Sequence, residues 1–156
     1  MPAGWRVAAP EFSGSVEQML SGEGAFLYGS RWNSKGTRVV YLGTSLAQAS
    51  MELLMGLGRA EVLNSYWKLK VTFDEQLLQH IDIDDLPDDW AEPSMASSVQ
   101  AVGDAWVEAK SSLVLQVPSA AILGEYNYLL NPRHPDFDKI SLSEIMPFRF
   151  DPRVLK

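Results

Sequence analysis

Five side chains with something to offer a bound ligand fall between Tyr28 and Glu52. Three are cations. Arg31, Lys35 and Arg38 lie within eight residues of one another, with no acid among them. Arg31 sits in a polar loop, Gly29 to Thr37, that has glycine on both sides of it. Such a loop can bend its backbone around a ligand, and an arginine there can hold a phosphate with two parallel donors. The competing reading is an ordinary solvated surface arginine. Tyr41 and Glu52 complete the set: an aromatic wall and a carboxylate.

A loop, a strand, a turn and a helix must position these groups. Arg38–Leu42 reads as a short apolar strand, and Gly43-Thr44 turns the chain. Ser45 and Gln48 fit the S-x-x-Q capping box at the start of a helix. Leu46, Ala49, Leu53 and Leu57 recur at helical spacing and give that helix one apolar stripe. Glu52 lies beside the stripe, on a face shared with Gln48, Ala49, Met55 and Gly56. None of those four is a cation, so no ion pair within the helix accounts for Glu52. Ala49 and Gly56 are small and leave room for a ligand, although a glutamate at a helix–solvent border is an equally simple reading.

The rest of the chain reads as scaffold. Its 156 residues, 46% of them apolar, suit one domain over 1–156 with a real core. Strands are expected at Trp5–Ala8, Ser65–Phe73, Gln79–Ile83, Ser112–Val117 and Ser143–Phe150. Ala120–Leu123 is expected to continue extended. Helices are expected at Ser15–Leu20 and Ser98–Lys110, the latter turning Val99, Val102, Trp106 and Ala109 inward. Strands and helices mix without a βαβ repeat, so the class expected is α+β.

Composition excludes several functions. Net charge is −7, and eight of the 20 acids lie between Asp74 and Glu92, a stretch with no lysine or arginine. That leaves 12 acids facing 13 bases elsewhere. An acidic chain is a poor match for direct nucleic-acid binding, and the acidic run reads as a solvated loop. No apolar run is long enough to span a bilayer, and the N-terminus does not read as a signal peptide. The absence of cysteine excludes disulfides and thiolate zinc sites and suits the cytoplasm. His80 and His134 lack the spacing of a catalytic zinc site, so no metal is expected. Gly56-Leu57-Gly58 ends a helix instead of following a strand, unlike a dinucleotide fingerprint. Neither a P-loop nor a G-x-S-x-G elbow is present.

One later contributor stands out. Ser119 follows a strand and Pro118, where its hydroxyl either projects toward a ligand or simply bonds within a turn. Glu125–Phe137 reads as a polar and aromatic loop, its backbone restricted by Asn131-Pro132 and His134-Pro135.

Taken together, Gly29-Ser30-Arg31-Trp32-Asn33, Gly36, Val39-Val40-Tyr41-Leu42 and Glu52, followed by Val117-Pro118-Ser119, Asn127 and Leu129-Leu130-Asn131-Pro132-x-His134-Pro135, resemble the RES domain family over nearly the whole chain. The Arg, Glu and Ser of the family name match Arg31, Glu52 and Ser119. Ser30 stands where a second glycine is common and Arg38 where proline is common. The resemblance implies a fold similar to ADP-ribosyltransferase toxins, a twisted, split β core with helices around it. It also implies a toxin of a bacterial toxin–antitoxin pair, acting on NAD⁺ as substrate with no further cofactor. The expected partners are an Xre-type helix-turn-helix antitoxin that covers the active site and a second toxin copy.

For that chemistry the site must hold the diphosphate, orient the nicotinamide ribose and stabilise an oxocarbenium-like centre. By analogy Arg31, with Lys35 near it, takes the diphosphate, and Tyr41 packs on the nicotinamide or its ribose. Glu52 bonds the ribose and favours the cation, while Ser119 and Asn127 position the reacting end. Transfer of ADP-ribose to a protein would use the same site. A binding module without catalysis is the remaining alternative.

Overall fold

The computed structural model describes residues 1–57, 64–151 and 153. Gly58, the last residue of the Gly56-Leu57-Gly58 triplet, lies outside them. The elements in order are β1 (Ala3–Ala8), α1 (Val16–Met19), α2 (Glu23–Tyr28), β2 (Val40–Gly43), α3 (Leu46–Leu57), β3 (Trp67–Thr72), β4 (Leu78–His80), α4 (Ser97–Ala109), β5 (Val114–Pro118), β6 (Tyr126–Leu130), β7 (Ser141–Leu142) and β8 (Met146–Pro147). The class is α+β, as expected.

The strands form one sheet ordered β4-β5-β6-β2-β1-β3-β7, with β8 also paired to β3. Every pairing is antiparallel except β4 with β5. The join between β1 and β2 is weak. They share one register pair, Trp5 with Gly43, whereas β1 pairs with β3 at six positions and β2 with β6 at four. The sheet is therefore nearly split there into two halves, and this gap shapes the functional site.

Both faces of the sheet are covered. β5 shows this directly. Its Val114 packs with Leu42, Leu69, Val71 and Met19 on one side, while Leu115 and Val117 join Trp32, Val99 and Trp106 on the other. Two covered faces require a nearly continuous apolar run, which VLQV supplies. α3 covers the β1 end through Ala49 and Leu54, packed with Val7 and Phe148. α4 turns Val99 and Trp106 inward with Val102 half-buried beside them, as its spacing predicts; Gly103 is buried as well, and Ala109 is exposed. Among the described residues, no helix is long and apolar enough to cross a membrane.

Several expectations need correction. Glu125–Phe137 is not all loop: Tyr126–Leu130 is the central strand β6, paired with both β2 and β5. Its Tyr128 packs edge-on against Phe73, centroids 5.2 Å apart, so the tyrosine serves the core. Ala120–Leu123 is not extended. It turns the chain from β5 into β6, helped by Gly124 at φ +95°. Ser143–Phe150 forms only the two-residue β8, a short edge contact, as Pro147 allows. α2 was not anticipated, because it starts after Gly22 at φ +69° with no side-chain cap and buries none of its residues.

Candidate active site

The motif loop is first of all a latch. Asn33 is fully buried, and its Nδ2 donates to the carbonyls of Ala25, Ser34 and Thr37 at 2.9, 3.0 and 3.1 Å. Its Oδ1 accepts from the Tyr41 hydroxyl at 2.7 Å, and that hydroxyl accepts from the Trp32 amide at 3.1 Å. Burial pushes the Tyr41 phenol pKa upward, so it stays neutral and donates. α4 clamps the loop from outside: Asp104 accepts from the Ser34 amide and hydroxyl at 3.0 and 2.5 Å, and Gln100 donates to Ser30 O at 3.0 Å. These bonds fix Gly29 and Ser30 as one wall of a cavity.

That cavity, about 390 Å³, opens where β1 and β2 part, and it is within the size range of small-molecule sites. Arg6, Ser30, Tyr41, Glu52 and Asn127 all line it, and Tyr28, 71% exposed, stands at its mouth. Gly43 also lines it. A Cβ there would lie 2.5 Å from the Ala49 amide, so glycine is what lets α3 bring Glu52 this close to the sheet.

Glu52 is held from three sides through one oxygen. Its Oε1 accepts from Ser119 Oγ at 2.7 Å, Asn127 Nδ2 at 2.9 Å and Gln48 Nε2 at 3.2 Å. Among the described residues, nothing donates to Oε2, which leaves that oxygen to receive a ligand hydroxyl or face a developing cation. Ser119 is 1% exposed. Besides its bond to Glu52, its hydroxyl accepts from the amides of Ala121 and Ile122, both at 3.2 Å. It therefore forms the turn, as one reading of Ser119 has it, and it reaches the cavity only through Glu52, since Ser119 itself is not among the lining residues.

The structure thus gathers Glu52, Ser119 and Asn127 into one cluster, with Tyr41 on the same cavity. It does not bring Arg31 or Lys35 to the cavity lining. Arg31 Nη1 donates to the carbonyls of Trp90 and Glu92 at 3.0 and 2.8 Å, beside the stacked Trp32 and Trp90 rings. Lys35 is exposed, its side chain near the backbone of Gly29.

Sequence reasoning missed the cation that does line the cavity. Arg6 Nε donates to Met19 O at 3.1 Å. Burial lowers its pKa to about 10, still far above neutrality, so the cavity holds a permanent positive charge. The available signal was one arginine inside the otherwise apolar run AGWRVA of β1.

Comparison with known proteins gives the family and the fold. The RES domain profile matches residues 3–151. "Toxin Res" of Photorhabdus laumondii subsp. laumondii is 38% identical over 142 residues, covering 90% of this chain and 91% of that protein. "Prs ADP-ribosylating toxin" of Sphingobium sp. (strain YBL2) is 30% identical over 156 residues, covering 97% and 96%. In fold, the chain matches the crystal structure of the M. tuberculosis MbcT–MbcA toxin–antitoxin complex with a TM-score of 0.69 at 21% identity, over 98% of this chain and 86% of the other. With its sequence matched almost end to end by the family profile and by relatives at 30% identity or more, this chain belongs to the RES domain family.

Proposed function

We propose that the protein is the toxin of a bacterial toxin–antitoxin pair and that it cleaves the nicotinamide–ribose bond of NAD⁺. The observation that carries this reading is the Glu52 carboxylate, anchored through Oε1 and without a donor at Oε2 among the described residues, in the same cavity as the Arg6 cation. Nicotinamide is already cationic in NAD⁺ and leaves without a strong acid. The ribose left behind becomes oxocarbenium-like. Oε2 accepts from a ribose hydroxyl and stabilises that charge, from a position fixed before the reaction starts. Arg6 holds the diphosphate, and the locked Tyr41 ring walls the nicotinamide end. Water or phosphate then takes the ribosyl carbon, giving ADP-ribose or its 1″-phosphate.

Arg31 serves this site from outside. By tying the backbone at Trp90 and Glu92 to the motif loop, it keeps the cavity wall in place. Arg6→Met should then raise the KM for NAD⁺ by about 10- to 100-fold, the effect of losing a charged hydrogen bond, with the fold retained. Arg31→Ala should lower turnover and melting temperature together. If Arg6→Met binds NAD⁺ normally and Arg31→Ala melts like the parent yet no longer binds, the diphosphate belongs to Arg31.

The second reading is transfer of ADP-ribose to a protein, favoured by the name of the Sphingobium relative. The same residues serve, and only the acceptor differs. Either way an antitoxin of the Xre helix-turn-helix type covers the cavity in the cytoplasm, where the toxin pairs with a second copy. Expressed alone in bacteria, the protein should stop growth and deplete cellular NAD⁺, and the antitoxin should restore both. Growth arrest with NAD⁺ unchanged would favour protein modification.

A further inference from the structure

Gln48 sits at the third residue of α3, where a capping box would turn its side chain back to the Ser45 amide. The Ser45 hydroxyl does accept from the Gln48 amide at 3.0 Å. The reciprocal half does not form among the described residues. Instead the side chain is 97% buried, and its Nε2 donates to Glu52 Oε1 at 3.2 Å and to Asn127 Oδ1 at 3.1 Å. The orientation of these amides follows from chemistry. An ionised carboxylate only accepts, so Gln48 and Asn127 must both turn their NH₂ groups toward Glu52. The Asn127 oxygen then faces the Gln48 NH₂, and the three side chains close on one another in a single arrangement.

We propose that Gln48 is a positioning residue for the reaction, acting through Glu52 and Asn127 and touching no substrate; this rests on the NAD⁺-cleavage reading above. Gln48 is absent from the cavity lining, whereas Glu52 and Asn127 are part of it. Ser119 and Asn127 reach Glu52 from the sheet, and Gln48 reaches it from its own helix at i, i+4 spacing. Gln48 also fixes which end of the Asn127 amide faces the carboxylate. Its removal therefore weakens two bonds, its own and that of Asn127, and lets Oε2 drift from the position that meets the ribose.

The test uses Gln48→Met, which keeps the volume and removes the donor, with Gln48→Glu as a second variant of nearly unchanged shape that turns an oxygen toward Glu52. Each is assayed for steady-state and single-turnover cleavage of NAD⁺, alone and combined with Glu52→Gln, beside a thermal melt and a crystal structure. Gln48→Met should lower kcat about tenfold, as expected for one lost hydrogen bond to a charged group, with KM within about twofold of the parent. In the Glu52→Gln background it should lower the rate less than about twofold, because the carboxylate it positions is gone. Gln48→Glu should lower kcat at least as far. The Glu52 carboxylate should leave its parent position in crystals of both variants. Equal rate losses in both backgrounds, or an unmoved carboxylate with parent turnover, would overturn the proposal. If Gln48→Met does not fold, Gln48→Glu decides by the same measures. If the parent itself leaves NAD⁺ intact, the functional reading falls, and the carboxylate position in the crystals still decides the role of Gln48.

Discussion

Glu52→Gln should lower the rate of NAD⁺ cleavage by about 10²–10³, the usual cost of losing one preorganised electrostatic group. The geometry makes this substitution clean. Three donors converge on Oε1, from Gln48, Ser119 and Asn127. The amide oxygen of the new glutamine must occupy that place, since only an oxygen can accept from them. Its NH₂ is then forced to the position of Oε2, where it presents a neutral donor to the ribose in place of a charged acceptor. NAD⁺ affinity should change much less than the rate, because the charge matters most once the oxocarbenium develops. The melting temperature should stay close to the parent value, since Glu52 forms no ion pair among the described residues. Single-turnover cleavage with a binding titration on the same variant measures both. A variant that cleaves at the parent rate would remove Glu52 from the mechanism, and one that loses only affinity would make it a substrate anchor.

Gly103→Ala should damage the fold more than any change at the cavity. A Cβ at this position would stand 1.6 Å from the Trp32 carbonyl oxygen and 2.7 Å from its carbonyl carbon. Neither partner is free to yield. Trp32 is buried, its ring stacks on Trp90 and its amide is bonded to Tyr41. α4 is tied to the same loop by Asp104 and Gln100. Forced overpacking of this kind costs about 3 kcal/mol or more, which for a chain of this size lowers the melting temperature by on the order of 10 °C. Turnover should fall with it, because the loop pressed by α4 forms the cavity wall. A Gly103→Ala variant that melts like the parent would mean that α4 does not seat on Trp32 as described.

The same contact explains part of what the sequence conveyed and what it did not. The loop–strand–turn–helix unit was legible because its signals are local: Ser45 at the helix start, the apolar stripe of α3, and a glycine turn between strand and helix. α4 was legible from the spacing of Val99, Val102 and Trp106. β6 was not, because Asn127 and two tyrosines gave a central strand the composition of a loop. In the structure Asn127 faces the site and Tyr128 packs on Phe73, so each departure from a strand pattern has its own cause. Arg6 was passed over for a related reason. An arginine within an apolar strand carries no sign of whether it meets solvent or a cavity, and the answer depends on β1 and β2 separating after one pair. The glycine-flanked loop and the family motif mark Arg31 as a ligand contact, and its bonds to carbonyls 59 and 61 residues away lie beyond any local pattern. Ser119 and Glu52, 67 residues apart, were placed together only through the family resemblance, and their 2.7 Å bond shows why both residues serve one cluster.

The most direct test of the account is to incubate the purified protein with NAD⁺, with and without phosphate, and to identify the products by chromatography and mass. Free nicotinamide in equal amount to ADP-ribose, or to its 1″-phosphate when phosphate is the acceptor, is the predicted result, and Glu52→Gln should form it about 10²–10³ more slowly. NAD⁺ left intact by the folded protein would contradict the account.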